Sequence, residues 1–532
     1  MRTLDVDVVV VGGGFGGSLT ALLLGQCGLK TAVLERDRHS RFAIGESSTP
    51  IANRIIERLA RQYHLPRLLP LCHCGAWKEA YPDVACGCKR GFSYFHHESG
   101  RAFTPRADHA NELLVAANVD QARADTQWFR ADVDAFFADE VRRTGTPFLQ
   151  RVVIESQCEN CDGRNGDGTW HLSGDSDSGA WTIEARFLID ATGGTSAFSK
   201  SLGGSIDSTR FKTHSRAIFS HFAGVKPWAD IHAESGGRAA DHPFPMDDAA
   251  LHHVFDGGWM WVLRFDNGIT SAGFVVDVER FPQPDDLPPQ REWARWIDRF
   301  PSIKAQFAQA SPVQPIFRTS RLQRRAARAI GRNWAMLPAA AAFVDPLHSS
   351  GIAHNVLGIA RLVEACEALD DRSRLGKLLA TYEDRLFREV AAVDRLIHGC
   401  CRVMHRFDLF AAFSMLYFLG AIDCEEQLSE AASFDVPLPE APVSEERVRP
   451  SDSPRTKPAK RALLSGGFLS LLDPRFDALL HASYDRLSHI LALNDVAPGA
   501  AIELNNLLAR KSQAFNQAGL CDLSKHNMYP YR

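Results

Sequence analysis

The chain opens on an apolar run, Val8 to Val11, that breaks at Gly12 and resumes as a largely aliphatic stretch from Leu19 to Leu24. β-branched residues, then glycines, then apolar residues at helical spacing predict strand, tight turn and helix over residues 6–28. A second aliphatic run, Thr31 to Leu34, ends at Glu35 and completes a βαβ start. Around residues 128–143 the apolar positions Phe136, Phe137 and Val141 recur on one face, which predicts an amphipathic helix. Residues 151–189 instead alternate short strand patterns with turn signals such as Gly166-Asp167-Gly168, the mark of antiparallel hairpins. They close on Phe187-Leu188-Ile189-Asp190, a buried strand that runs into the turn Gly193-Gly194.

Between residues 203 and 328 the pattern is mixed. Strand-like runs at 217–222, 259–265 and 270–276 predict an inserted sheet. Residues 330–337 read as a further core strand, 343–351 as a loop, and 352–369 as a helix with Val356, Ile359 and Val363 on one face. From residue 372 the chain reads helical, apart from a Pro-, Ser- and charge-rich linker at 434–460. The expected architecture is therefore α/β, of mixed α+β character. A Rossmann-type nucleotide-binding domain spans 1–202 and 326–370, with 56–115 contributing to the active site. A mixed-sheet substrate domain is inserted at 203–325, and a helical region at 371–532 covers the substrate pocket.

Composition narrows the function classes. Lys and Arg number 60 against 64 acidic residues, a formal charge of −4, so no basic field points to nucleic acid or an anionic membrane. The first apolar run is too short for a signal peptide, and the longest one, residues 409–420, falls short of the ~18 residues of a membrane span. The expectation is a cytoplasmic protein with no membrane span, acting on a small molecule. Of the 12 cysteines, Cys72, Cys74, Cys86 and Cys88 cluster, and Cys158 and Cys161 form a CxxC. The cluster has Cys-x-Cys spacing rather than zinc knuckles and the CxxC has no second knuckle nearby, so thiols without metal are the default reading and a zinc site the alternative.

Gly12-Gly13-Gly14-Phe15-Gly16-Gly17 fits G-x-G-x-x-G between a strand and a helix, with Glu35 placed to accept from a ribose hydroxyl. Gly12 allows the tight turn, Gly14 lets a pyrophosphate approach the backbone, and Gly17 lets helix pack on strand. Only one such fingerprint occurs. The second strand and glycine turn about 180 residues later, with the inserted sheet, favours FAD over NAD.

Further motifs make a resemblance specific. Gly45-Glu46-Ser47-Ser48-Thr49-Pro50, Ala85-Cys86-Gly87-Cys88-Lys89-Arg90-Gly91-Phe92-Ser93, Trp259-Met260-Trp261 and Phe343-Val344-Asp345-Pro346-Leu347-His348-Ser349-Ser350-Gly351 together resemble the flavin-dependent halogenases over residues 5–370. The Cys-Gly-x-Lys-x-Gly-Phe-Ser run is closest to the free-standing halogenases of phenolic substrates, including the phloroglucinol type. The resemblance implies that FADH2 from a separate flavin reductase, with oxygen and chloride or bromide, generates hypohalous acid. That species travels through a tunnel to Lys89, beside an electron-rich aromatic substrate that is either free or tethered to a carrier protein. An ammonium suits this task because it can hydrogen-bond hypohalous acid, or be halogenated on nitrogen once desolvation frees the amine.

By the same resemblance, FAD contacts fall on Gly12, Gly14, Phe15, Gly17, Glu35, Arg36, Glu46, Ser47, Arg130, Asp190, Asp345, Gly351 and Ile352. The halide would sit at Ser349, Ser350 and Gly351, where backbone N–H groups open a helix; an ordinary serine cap would have the same sequence. His348 is a candidate proton acceptor or a packing residue. Phe92, Trp259, Trp261, Phe410 and Phe413 are candidate pocket residues, although the helical pair also fits a buried stripe. Two departures stand out. The usual Trp-x-Trp-x-Ile-Pro ends in Val262-Leu263-Arg264, and the usual Gly-Asp-Ala-Ala reads Pro338-Ala339-Ala340-Ala341, without the carboxylate for the ribityl chain. The alternatives are a flavin monooxygenase that hydroxylates a phenol, and a non-catalytic flavoprotein fold that docks a carrier through the basic stretch at 447–461. No resident metal is expected.

Overall fold

Val8, Val9 and Val10 are wholly buried because the strand that carries them, Arg2–Val11, is covered on both faces, the usual fate of an unbroken aliphatic run in a parallel sheet. In the computed structural model, which describes residues 2–160, 168–194, 206–432, 464, 466–493, 499–516 and 518–531, this strand is central to the first sheet. Thr31–Leu34 and Trp181–Asp190 pair with it in parallel on either side, and Phe148–Leu149 extends the sheet beyond Thr31–Leu34. Thr169–Asp175 and Val153–Asn160 continue it antiparallel, and the alternating burial of the former, with Trp170 and Leu172 inside and His171 half-exposed, explains its period-two pattern. The 434–460 linker, the basic stretch 447–461, Cys161 and the turn residues 166 and 167 lie outside the described residues.

Of the strand expected over 330–337, three residues, Trp334–Met336, are strand, paired to Leu188–Asp190. Ile330 turns back to bridge Ala335, and Gly331 N–H donates to Trp334 O across the turn. The Gly331 Cα lies against the Trp334 ring, a place that a side chain would fill.

The second sheet has nine strands. Ser215–Ala223, Ile269–Asp277, Gly258–Arg264 and Ala250–Phe255 form an antiparallel run. Gly91–His97 then joins in parallel, followed by Glu112–Ala116 and Met528–Tyr529. The sheet thus draws on segments before residue 120 and at the end of the chain as well as on 203–325. A separate two-stranded ribbon pairs Cys86–Lys89 with Asp125–Trp128.

Helices Ser350–Cys366, Arg372–Cys401 and Phe407–Ala432 follow in order. The first begins two residues before its expected start. Phe407–Ser429 is long and apolar enough to cross a membrane by length and composition, and 78% of its apolar window is buried inside the fold. Glu389, fully buried, ties the first two of these helices to the segment at Phe468: it pairs with Arg361 through both oxygens at 2.8 and 2.9 Å, meets His354 at 3.2 Å and accepts from Phe468 N–H at 2.8 Å.

Candidate active site

The glycine turn has the geometry its sequence demands. Gly12 adopts φ 111°, and a Cβ there would lie 2.5 Å from Ala191 O. A Cβ on Gly17 would overlap the Gly12 carbonyl. Gly14 differs, because a Cβ there would meet only side-chain ends: Arg41 Nη2 and Asp134 Oδ2 at 3.3 Å and Arg130 Nη2 at 3.7 Å. The backbone at Gly14 is therefore bounded by polar groups that can part, and two guanidinium groups stand where a pyrophosphate would approach the start of the Phe15–Gln26 helix. Arg130 is itself held by Asp134 at 2.9 Å, by Ile44 O and Gly45 O, and over the Phe15 ring at 4.8 Å. These residues fit a dinucleotide.

Glu35 is buried at the end of its strand, accepting from Gly13 N–H at 2.8 Å and Asp37 N–H at 2.9 Å. Its neighbour Arg36 points to solvent against Asp37, away from the turn. Asp190 uses Oδ1 to accept from Thr192 N–H and Oγ1, closing the second glycine turn. Glu46 bonds His221 at 2.7 Å, and Ser47 bridges Gln127. Asp345 accepts from Ser215 Oγ at 2.6 Å and Leu347 N–H at 3.1 Å, and burial pushes its carboxyl up to about 6.

The segment Glu46–Ser48 lies along Asp125–Trp128, with Ser48 N–H on Thr126 O and Trp128 N–H on Glu46 O. That edge brings the Gly45–Pro50 motif to the lysine motif. Lys89 is wholly buried; its Nζ donates to Ser48 O at 2.6 Å and stands 4.0 Å from the centroid of the Phe92 ring. Asp125 faces it in register across the ribbon and accepts from Asn53 Nδ2 at 2.7 Å, whose Oδ1 in turn accepts from Ser48 Oγ. Burial pulls the Lys89 ammonium well down from its ordinary value, against the pull of Asp125; burial pushes Asp125 up, against the pull of Lys89. Burial thus drives both groups toward their neutral forms, while the charge of each favours the charged form of the other.

Phe92 continues into a column of rings. It meets Tyr417 at 5.7 Å and Phe418 at 5.4 Å, edge to face; Tyr417 stacks on His348 at 4.6 Å. Tyr94 OH bonds His348 Nδ1 at 3.0 Å and stacks on His252, with Phe410 edge-on at 5.6 Å. Burial holds His348 well below the usual imidazole range, so it is neutral. Phe92, Tyr417 and Phe418 line a cavity of about 350 Å³ together with Thr49, Glu425 and Tyr531. Phe410 and Phe413 do not line it: the Phe413 ring packs against Gly399 on the neighbouring helix. Trp259 and Asp345 line a second cavity of about 230 Å³, while Trp261 packs 5.9 Å from Phe219 and donates to Ser271 Oγ.

His348 leads directly into the expected halide turn. Ser349 takes φ 53°, and its N–H closes a turn onto Pro346 O. The helix then starts at Ser350, so the N–H groups of Ser350, Gly351 and Ile352 belong to its open first turn. A Cβ on Gly351 would meet nothing within 4 Å. Pro338–Ala341, the segment without a carboxylate, forms a short helix whose Ala339 O accepts from the half-buried Arg324 and whose Ala339 N–H donates to Asn355.

Asp125 and Asn53 do not stand out in the sequence, because nothing local marks strand 125–128 as the partner of the lysine strand. Phe418 and Tyr531 enter the cavity from elements far along the chain. The spacing of Phe410, Phe413 and Tyr417 was a usable signal, and the helix turns Tyr417 rather than the two phenylalanines toward the cavity.

Comparison with known proteins places this geometry. The sequence profile of the tryptophan halogenase family matches residues 130–408, more than half of the chain. Tetracycline 7-halogenase of Kitasatospora aureofaciens is 30% identical over 356 residues, 65% of this chain and 61% of its own length. Monodechloroaminopyrrolnitrin halogenase PrnC of Pseudomonas fluorescens is 28% identical over 436 residues, 80% of this chain and 73% of its own. A crystal structure of halogenase PltM in complex with phloroglucinol and FAD has the same fold, with a TM-score of 0.82 at 23% identity, covering 98% of this chain and 99% of that one. The chain belongs to the tryptophan halogenase family of enzymes.

Proposed function

We propose that this enzyme is a flavin-dependent halogenase of a phenolic ring, with Lys89 as its catalytic residue and His348 as the acceptor of the ring proton. The observation that carries the reading is the placement of Lys89: a buried amine against the ring of Phe92, which itself lines a ring-sized cavity. When bound, FADH2 supplies the reduction of oxygen that oxidises chloride or bromide. Gly12 to Gly17, Glu35 and Arg130 hold its dinucleotide, and the open N–H groups of Ser350 to Ile352 face the halide. Asp190, Asp345, Glu46 and Ser47 fix the surrounding turns. Lys89 holds the electrophilic halogen by hydrogen bond, or takes it on nitrogen, and presents it to the substrate carbon. Neutral His348, anchored by Tyr94, receives the displaced proton. The single nucleotide fingerprint gives NAD(P)H no second site, so a separate reductase supplies the flavin.

The test supplies reduced FAD from an added reductase with bromide and a panel of free and carrier-tethered phenols, indoles and pyrroles, read by mass spectrometry. A brominated phenol is expected. Oxygenated product with or without bromide means a hydroxylase. Carrier binding without turnover means a docking protein. Flavin reduction by NAD(P)H without the reductase contradicts the two-component reading.

A further inference from the structure

Three imidazoles converge on one buried carboxylate on the far side of the second sheet. Glu112, with no side-chain exposure, receives His109 Nδ1 and His242 Nε2 on Oε2 at 3.0 Å each, and His232 Nε2 on Oε1 at 2.9 Å. The His232 and His242 side chains are 2% and 1% exposed, that of His109 10%. The four residues come from three separate stretches of chain: the loop into strand Glu112–Ala116, the helix Trp228–Glu234, and the segment that follows it.

We propose that His109, Glu112 and His242 form a zinc site. Their ligand atoms all lie within 4.8 Å of one another. Zinc bonds of about 2.0 Å in tetrahedral geometry place neighbouring ligand atoms about 3.3 Å apart, close to the separations seen here. Among the described residues the ion pairs of Glu112 are with these imidazoles alone, with no lysine or arginine at the carboxylate. Zinc would take the lone pair of each near nitrogen, with the imidazole proton then on the far one, Nε2 of His109 and Nδ1 of His242.

The surroundings orient the set. Asp241 Oδ2 stands 3.5 Å from His109 Nε2, the carboxylate that fixes a ligating histidine in the tautomer whose Nδ1 lone pair faces the metal. His232 holds the other oxygen of Glu112, leaving Oε2 to the zinc. Asn527 Nδ2 donates to His109 O, and Leu114 N–H donates to Asn527 O. Zinc here pins the edge of the second sheet, the Trp228–Glu234 helix and the last strand of the chain.

The test uses the full chain purified without added metal, with metal content read by mass spectrometry. One equivalent of zinc is expected, lost on treatment with a strong chelator together with a fall in Tm, both restored by zinc alone. His242→Ala should lose that equivalent. Should this variant fail to fold, cobalt loaded into the stripped parent chain decides: d–d absorption without thiolate-to-metal charge transfer supports the His–Glu set. Absence of metal with a Tm that neither chelator nor zinc moves overturns the proposal. Thiolate charge transfer, or zinc retained in a folded His242→Ala, does so as well.

Discussion

Lys89 and Asp125 are direct partners in the antiparallel ribbon of Cys86–Lys89 with Asp125–Trp128, and neither has appreciable contact with solvent. Each charge is tolerated only because the other is present, and burial drives both toward their neutral forms. Asp125→Asn keeps an acceptor for Asn53 and removes the negative charge that favours the ammonium. The Lys89 pKa then falls further, because its folded value already lies below the ordinary one and loses the negative charge that raises it. The inflection of the halogenation pH–rate profile assigned to Lys89 should move to lower pH by about one unit or more, each unit being 1.36 kcal/mol. An unmoved inflection, or one that moves upward, contradicts the pairing.

Gly14→Val should give a folded protein that no longer binds FAD. The position has extended backbone that valine adopts, and its side chain would project among Arg41, Arg130 and Asp134, where the proposed site takes the pyrophosphate. Flavin absorbance after gel filtration, with Tm of the cofactor-free protein as control, reads the result. Full flavin retention contradicts the assignment of the turn.

Phe92→Leu should raise KM for the phenolic substrate about three- to tenfold with a smaller effect on kcat, since ring-on-ring contacts contribute about 0.5–1.5 kcal/mol beyond area. An unchanged KM would move the substrate out of the cavity lined by Phe92 and Tyr417.

Glu389→Ala should destabilise the fold by about 3–5 kcal/mol, because it leaves Arg361 buried beside an empty place. Burial pushes this carboxyl up, yet Arg361 and His354 outweigh it and hold it down to about 2, against an ordinary 4.5. A depressed carboxylate contributes stability that is full above the unfolded value and lost as pH falls through the folded one. The stability gap between parent and variant, measured by denaturant unfolding, should therefore close between those two pH values. A gap that is independent of pH contradicts the network.

What the sequence makes legible is local. The glycine turn, the helix at Arg130–Arg143 and the turn at Ser349 each depend on residues a few positions apart, and pattern or motif finds them. Asp125 owes its role to a strand pairing across 36 positions, and Ser48 to a third segment laid on that ribbon; neither leaves a periodic trace. The second sheet shows the same limit. Gly91–His97 lies outside the strand runs expected from the sequence, and tertiary packing joins it to Ala250–Phe255 in parallel. Residues 330–337 carry a strand's aliphatic content, and the turn at Gly331 shortens it to three residues.

The most direct measurement of the central claim compares Lys89→Ala with the parent enzyme under reduced FAD, oxygen and bromide. In the proposed division of labour oxygen chemistry belongs to the flavin and halogen delivery to the lysine, so truncation would remove a group needed in the halogenation transition state and leave earlier steps intact. The account predicts parental FAD binding and oxygen consumption with no brominated phenol. Substantial bromination by Lys89→Ala would contradict it.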